Sequence, residues 1–202
     1  MKKKSVLQRL RVIPNLLSTM RLILNPILWA LALLELQLQL GILLAIAFAT
    51  DYMDGYIARR FKLSTRFGSK LDAVADTLLQ ISAWIWLLLL QPQVTIEHPL
   101  LFWGASLLSA TSMLFGLIKF GSLPNLHLYS TKVAGFGFSL FMVTTFIFEG
   151  YFEVLFYSMI FFVILGALET TLLQLFSKKI DENMGSLIMA ILKKIRTPKK
   201  AA

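Results

Sequence analysis

Residues 51–76 read DYMDGYIARRFKLSTRFGSKLDAVAD, and the four aspartates of this stretch, Asp51, Asp54, Asp72 and Asp76, have the types and spacing that could do chemistry. On a helix Asp51 and Asp54 are three apart and share a face, with Gly55 and Arg59 continuing the row in four-residue steps. Asp72 and Asp76 lie one turn apart in the same way. Two neighbouring helices joined by a short loop would therefore aim four carboxylates at one point. In an apolar setting an unpaired carboxylate is costly, so four together must be protonated or neutralised by cations. Arg59, Arg60 and Arg66 are too few for that. Hard divalent cations held by carboxylate oxygen are the natural answer, and Mg²⁺ or Mn²⁺ suits a site that also holds phosphate. Gly55, Ala58 and Gly68 keep bulk away from the acids and let a ligand approach the backbone. Acids, metal, an arginine and cleared space describe a diphosphate site.

The elements that must carry these residues are membrane helices. Of 202 residues, 57% are hydrophobic, and a mean hydropathy of +0.72 lies far above that of a soluble domain. Apolar stretches near the ~20 residues needed to cross a bilayer recur. They predict six spans at roughly 15–35, 40–60, 70–91, 99–119, 131–149 and 152–176, hence an all-α integral membrane protein. Gln37 and Gln39, Gln91-Pro92-Gln93, the stretch from Gly121 to Asn125, and Glu149-Gly150 punctuate the joints. Absence of cysteine excludes disulfides and thiolate metal sites. The net charge of +9 is explained by anionic lipid headgroups rather than by nucleic acid.

Positive charge orients the layout, because Lys and Arg collect on cytoplasmic loops and flanks. Apart from Arg21, Lys119 and Lys132, every Lys and Arg falls in residues 2–11, 59–70 or 178–200. The joints near 36–39, 92–98 and 149–152 have none and carry Glu97 and Glu149. Both termini and the aspartate stretch are thus expected on the cytoplasmic side. The basic start is no signal peptide, since Arg9, Arg11, Pro14, Asn15 and Arg21 interrupt its apolar run. Residues 1–13 read instead as a juxtamembrane segment with an amphipathic helix on the membrane surface, 14–177 as the six-helix catalytic domain, and 178–202 as a basic cytoplasmic tail.

Paired acids in membrane helices also serve ion pathways, and a D-x-x-D-G string alone is weak. The full spacing is stronger. Asp51-x₂-Asp54-Gly55-x₂-Ala58-Arg59-x₈-Gly68-x₃-Asp72-x₃-Asp76 fits every fixed position of the signature of the CDP-alcohol phosphotransferase family, which the chain closely resembles. Ile13-Pro14-Asn15-Leu16-Leu17-Ser18 with Arg21 is similar to the start of the family's bacterial phosphatidylglycerophosphate synthase branch, although threonine is commoner at the position of Ser18.

The resemblance implies an enzyme that moves a phosphatidyl group from CDP-diacylglycerol to an acceptor alcohol and releases CMP. It places Asp51, Asp54, Asp72 and Asp76 on metal, with two ions expected, and makes Asp76 also the general base. It puts Gly55, Ala58, Arg59, Thr65 and Gly68 at the donor, with Asn15 and Ser18 near the nucleotide. A bacterial-type inner membrane, an active site on the cytoplasmic side and a homodimer are implied with it.

For the acceptor, the resemblance favours glycerol 3-phosphate, a dianion for which Lys119 and Lys132 are the candidate partners. Snorkelling at a helix end is the competing reading of both lysines. Inositol, inositol phosphate and an amino alcohol are the alternatives; the last span carries Glu169 and no arginine or lysine, unlike the arginine-bearing phosphate pocket of the inositol-phosphate enzymes, which weakens inositol phosphate and leaves an uncharged or amine-bearing acceptor open. Outside the family, an intramembrane prenyltransferase would need more helices, and a cation transporter would leave the fixed spacing unexplained. His98 and His127 lack a third ligand at fitting spacing and read as structural or solvated. Gly135 and Gly137 are spaced for close helix contact. With both termini cytoplasmic, single cysteines placed at Lys3 or Lys199 should resist an impermeant thiol reagent in intact cells. Labelling from outside would refute the orientation.

Overall fold

The computed structural model describes residues 12–61, 66–120 and 128–176. The expected juxtamembrane helix, the whole basic tail, Thr65 and His127 lie outside them. The described residues are entirely helical apart from joints: α1 (Val12–Leu33), α2 (Gln37–Phe61), α3 (Arg66–Leu90), α4 (Gln93–Glu97), α5 (Pro99–Phe120), α6 (Tyr129–Ile147) and α7 (Glu153–Phe176). The six long helices coincide with the six apolar stretches to within a few residues. The five-residue α4 was not expected, and it forms inside the joint that Pro92 opens by ending α3, since proline cannot donate to the ladder.

Among the described residues three helices are long and apolar enough to cross a membrane, over Pro99–Phe120, Tyr129–Ile147 and Glu153–Leu175. Shorter apolar stretches occupy Ser18–Leu33, Gln37–Met53 and Val74–Leu90. Isoleucine and leucine side chains such as Ile23, Ile42, Ile81, Leu107 and Leu165 point outward on most of these helices. Helices apolar on their outer faces as well as their inner ones belong in lipid.

The chain divides into two compact units, residues 1–92 with 142–151, and 93–141 with 152–202. In the first, α1 packs against both α2 and α3. Leu28 and Ala32 of α1, Leu40, Leu44 and Ala47 of α2, and Ala75, Leu79, Ala83, Trp86 and Leu87 of α3 are buried. Polar ties fix the register. The Trp29 indole donates to Ser82 Oγ at 2.9 Å and meets Trp86 edge-on with centroids 5.7 Å apart. Past the end of α3, buried Gln91 donates its amide to Gln37 Oε1 at 2.7 Å. In an apolar setting each pairing satisfies groups that would otherwise be costly to bury.

Two helix ends are closed by glutamate in a left-handed conformation, Glu35 (φ 55°) and Glu149 (φ 50°). After α1, Leu36 N–H donates to Leu31 O and Glu35 N–H to Ala32 O. After α6, Gly150 N–H donates to Thr145 O. This is the bonding of a Schellman cap, with glutamate where glycine is usual.

In the second unit α5 packs against α7 and α4 against α5. Thr171 donates to Ser112 Oγ at 2.9 Å, and Ser112 reaches Ala167 O at 3.3 Å. The His98 ring stacks on Phe156 with centroids 5.0 Å apart, the structural role expected of it. Of the paired glycines, Gly137 meets the Met159 backbone at 3.8 Å, while Gly135 faces nothing within 4 Å. The tight approaches lie elsewhere: a methyl on Gly41 would come within 2.7 Å of the Ile147 side chain and 2.9 Å of its backbone nitrogen, both in the first unit. Gly41→Ala should therefore push α2 off the end of α6, at the ~1–3 kcal/mol typical of overpacking. A lower midpoint for unfolding in denaturing detergent checks this.

Candidate active site

The acids and the groups facing them all belong to the first unit. Because α1 packs on both α2 and α3, one face of α1 is presented to the ends of those helices that carry the aspartates. Ser18 and Arg21 are three apart on that face. Both are buried, Arg21 to 3% exposure.

Asp51 of α2 and Asp72 and Asp76 of α3 each offer a carboxylate oxygen, and these oxygens all lie within 4.8 Å of one another. The expected convergence of two helices is thus met by three of the four acids. The Arg21 guanidinium sits among them. Nη1 pairs with both Asp51 and Asp76, and Nη2 with Asp72 at 2.6 Å. Ser18 Oγ donates to the same Asp72 oxygen at 3.0 Å. The guanidinium is enclosed, with 2% side-chain exposure, whereas the acid side chains retain 36%, 38% and 45%. Hence the arginine approaches from within the unit and the carboxylates keep an open side.

Three clustered carboxylates make a hard-oxygen donor set that fits a divalent cation. Asp54, Gly55, Ala58 and Arg59 lie on α2 and Asn15 on α1, but their side chains are outside the described residues, as is Thr65. Gly68 lies on α3 in the first turn after the loop.

The sequence reading missed Arg21 as a counter-charge, having looked for one only near the loop. The signal was present: an arginine inside an apolar helix needs a buried partner, and Ser18 shares its face. Ser18 is drawn to Asp72, which adds a partner to its expected place near the donor.

The two lysines expected at the acceptor belong to the second unit. Lys119, in the last turn of α5, donates to Gln174 O at 2.5 Å and Leu175 O at 3.2 Å. Those carbonyls belong to the final turn of α7, where a cation meets the negative end of the helix dipole. Lys132 is exposed, with its ammonium 5.7 Å from the Tyr129 ring centroid. Glu169 accepts from Ser130 Oγ at 2.5 Å.

Comparison with known proteins adds independent findings. The family model described as CDP-alcohol phosphatidyltransferase matches residues 11–173. A CDP-diacylglycerol–glycerol-3-phosphate 3-phosphatidyltransferase of Pseudomonas fluorescens is 42% identical over 78 residues, covering 37% of this chain and 40% of that protein. A protein of the same name from Aquifex aeolicus is 42% identical over 64 residues, covering 32% of this chain and 36% of its own. Its namesake in Rickettsia typhi is 32% identical over 125 residues, covering 60% of this chain and 67% of its own. The chain thus spans well under two thirds of the first two. No solved structure matches.

If Lys119 serves α7, Lys119→Met should lower stability by up to ~1 kcal/mol, the usual worth of a cation at a helix C-terminus. The acceptor KM should stay near wild type. A raised acceptor KM at unchanged stability would favour the acceptor role of Lys119 instead.

Proposed function

The chain belongs to the CDP-alcohol phosphatidyltransferase family, and from that membership we propose that it transfers the phosphatidyl group of CDP-diacylglycerol to glycerol 3-phosphate, forming phosphatidylglycerophosphate and CMP. The observation that carries the reading is the meeting of Asp51, Asp72 and Asp76 within 4.8 Å at the heart of the family signature. The acceptor follows the names of the relatives.

In the proposed reaction the acceptor hydroxyl attacks the phosphorus that bears diacylglycerol. The bond from that phosphorus to the bridging oxygen breaks, and CMP leaves with the electron pair. Asp76 takes the hydroxyl proton, as a carboxylate on the open side of the cluster can. Asp51, Asp54, Asp72 and Asp76 would hold Mg²⁺ or Mn²⁺, two ions in this reading, which supplies neutralisation of diphosphate charge. Arg59, Gly55, Ala58, Thr65 and Gly68 would line the donor, with Asn15 and Ser18 toward the nucleotide. Lys132 remains the better of the two lysines for the acceptor phosphate, because the ammonium of Lys119 is engaged by α7.

A membrane position suits this chemistry. Six spans with both termini in the cytoplasm would keep the acyl chains of the donor in the bilayer of a bacterial-type inner membrane. CDP and the polar acceptor would then enter from the cytoplasm. A homodimer is part of the same reading.

Purified protein in lipid, given CDP-diacylglycerol and a panel of glycerol 3-phosphate, inositol, inositol phosphate and amino alcohols, tests the proposal through CMP release and the lipid formed. Phosphatidylglycerophosphate should be the product, activity should vanish with chelator, and Mg²⁺ or Mn²⁺ should restore it. Cation transport without CMP release would favour the transporter instead. Within the acid set, Asp76→Asn should keep much of the donor affinity while turnover falls ~10²–10⁴-fold, the usual loss with a general base. Asp54→Asn should lose donor binding and turnover together. Near-normal turnover of Asp76→Asn at saturating acceptor would remove Asp76 as the base.

A further inference from the structure

We propose that Arg21 is the resident counter-ion of this site: its guanidinium holds Asp51, Asp72 and Asp76 together in the metal-free protein, and it opposes the divalent cation that those carboxylates bind. The inference rests on the metal-site reading above and concerns a residue outside the aspartate signature.

Three facts carry it. The guanidinium pairs with one carboxylate from α2 and two from α3, so a single side chain of α1 links all three helices of the site. It is enclosed, so its charge depends on these acids for compensation and cannot be screened by water. The acids, in contrast, keep an open side from which a second cation can reach them.

Electrostatics then sets the sign. Arg21 offsets part of the mutual repulsion of the three carboxylates, so without it a divalent ion meets more of their field. With Arg21 in place one unit of positive charge already satisfies part of that field and repels the ion at short range in a medium of low effective dielectric constant. Arginine and metal therefore stabilise the same cluster at each other's expense. By linkage, the metal affinity that Arg21 removes equals the amount by which it stabilises the metal-free form more than the metal-bound form.

The test uses the full chain in lipid nanodiscs, with thermal unfolding and Mn²⁺ binding followed by electron paramagnetic resonance. Arg21→Gln should melt below wild type in chelator, and the gap should narrow as Mn²⁺ saturates. Its Mn²⁺ dissociation constant should be at least about tenfold lower than that of wild type, as expected for removing a nearby like charge. Arg21→Lys keeps the charge and should bind Mn²⁺ nearly as wild type does. An equal loss of stability with and without Mn²⁺, or Mn²⁺ affinity in Arg21→Gln no higher than wild type, would overturn the inference and make Arg21 a packing or metal-positioning residue. Should Arg21→Gln fold only when Mn²⁺ is present, the inference is supported. If it folds in neither condition, Arg21→Lys decides, since Mn²⁺ binding far weaker than wild type would show that geometry, not charge, is what Arg21 supplies. A wild-type protein that binds no Mn²⁺ overturns the metal-site reading itself and Arg21's role with it.

Discussion

A carboxylate cannot stand alone in an apolar helix bundle, and the pairing of Arg21 with Asp51, Asp72 and Asp76 is where this constraint is met in the first unit. The acids come from two helices and the guanidinium from a third. No pair of these helices could satisfy the cluster without the other. The helix that supplies the arginine is accordingly the one that packs on both partners, so the topology of the unit and the electrostatics of its site are one arrangement.

Away from the acids, the same three helices are fixed by neutral contacts. The Trp29–Ser82 bond and the Trp29–Trp86 edge contact tie α1 to α3. The Gln91–Gln37 bond ties the end of α3 to the start of α2. Buried alanines at 32, 47, 75 and 83 let the backbones approach while leucines fill the remaining space. Such a scaffold holds carboxylates in register more firmly than a loop would, which matters because a cation site tolerates only small errors in donor position.

The sequence made the acids legible because chemistry restricts them to one residue type at fixed helical spacing, and the long helices because lipid demands a continuous apolar run. Arg21 was harder. Its partners are 30 and more residues distant, and its own helix is otherwise apolar, so charge counting near the loop passed over it. Gly41 was illegible for a similar reason: the Ile147 backbone it accommodates lies at the far end of another helix. Glu149 reads as a polar joint residue, yet it and Glu35 each adopt the left-handed conformation that glycine usually supplies, which sequence preference argues against. Lys119 shows the converse case. A lone lysine near a helix end has two readings, and the carbonyls of Gln174 and Leu175, 55 and 56 positions along the chain, supply the structural one.

The open and closed sides of the acid cluster bear on how a polar reaction can be run at a membrane. A guanidinium on the open side would stand where the proposed acceptor and diphosphate must reach, and acids with no guanidinium would repel one another more strongly until a cation arrived. Enclosing Arg21 and leaving the acids partly exposed meets both demands with one residue. The compensating charge is also covalently part of the fold, so the cluster does not depend on a diffusible ion for its first neutralisation. The cost is competition: every cation that binds does so against a positive charge that cannot leave. In the proposed reaction that cost would fall as the diphosphate of the donor entered, because it would supply negative charge that arginine and metal could share. Cation and donor should therefore bind with mutual reinforcement, as linkage requires when each relieves what opposes the other.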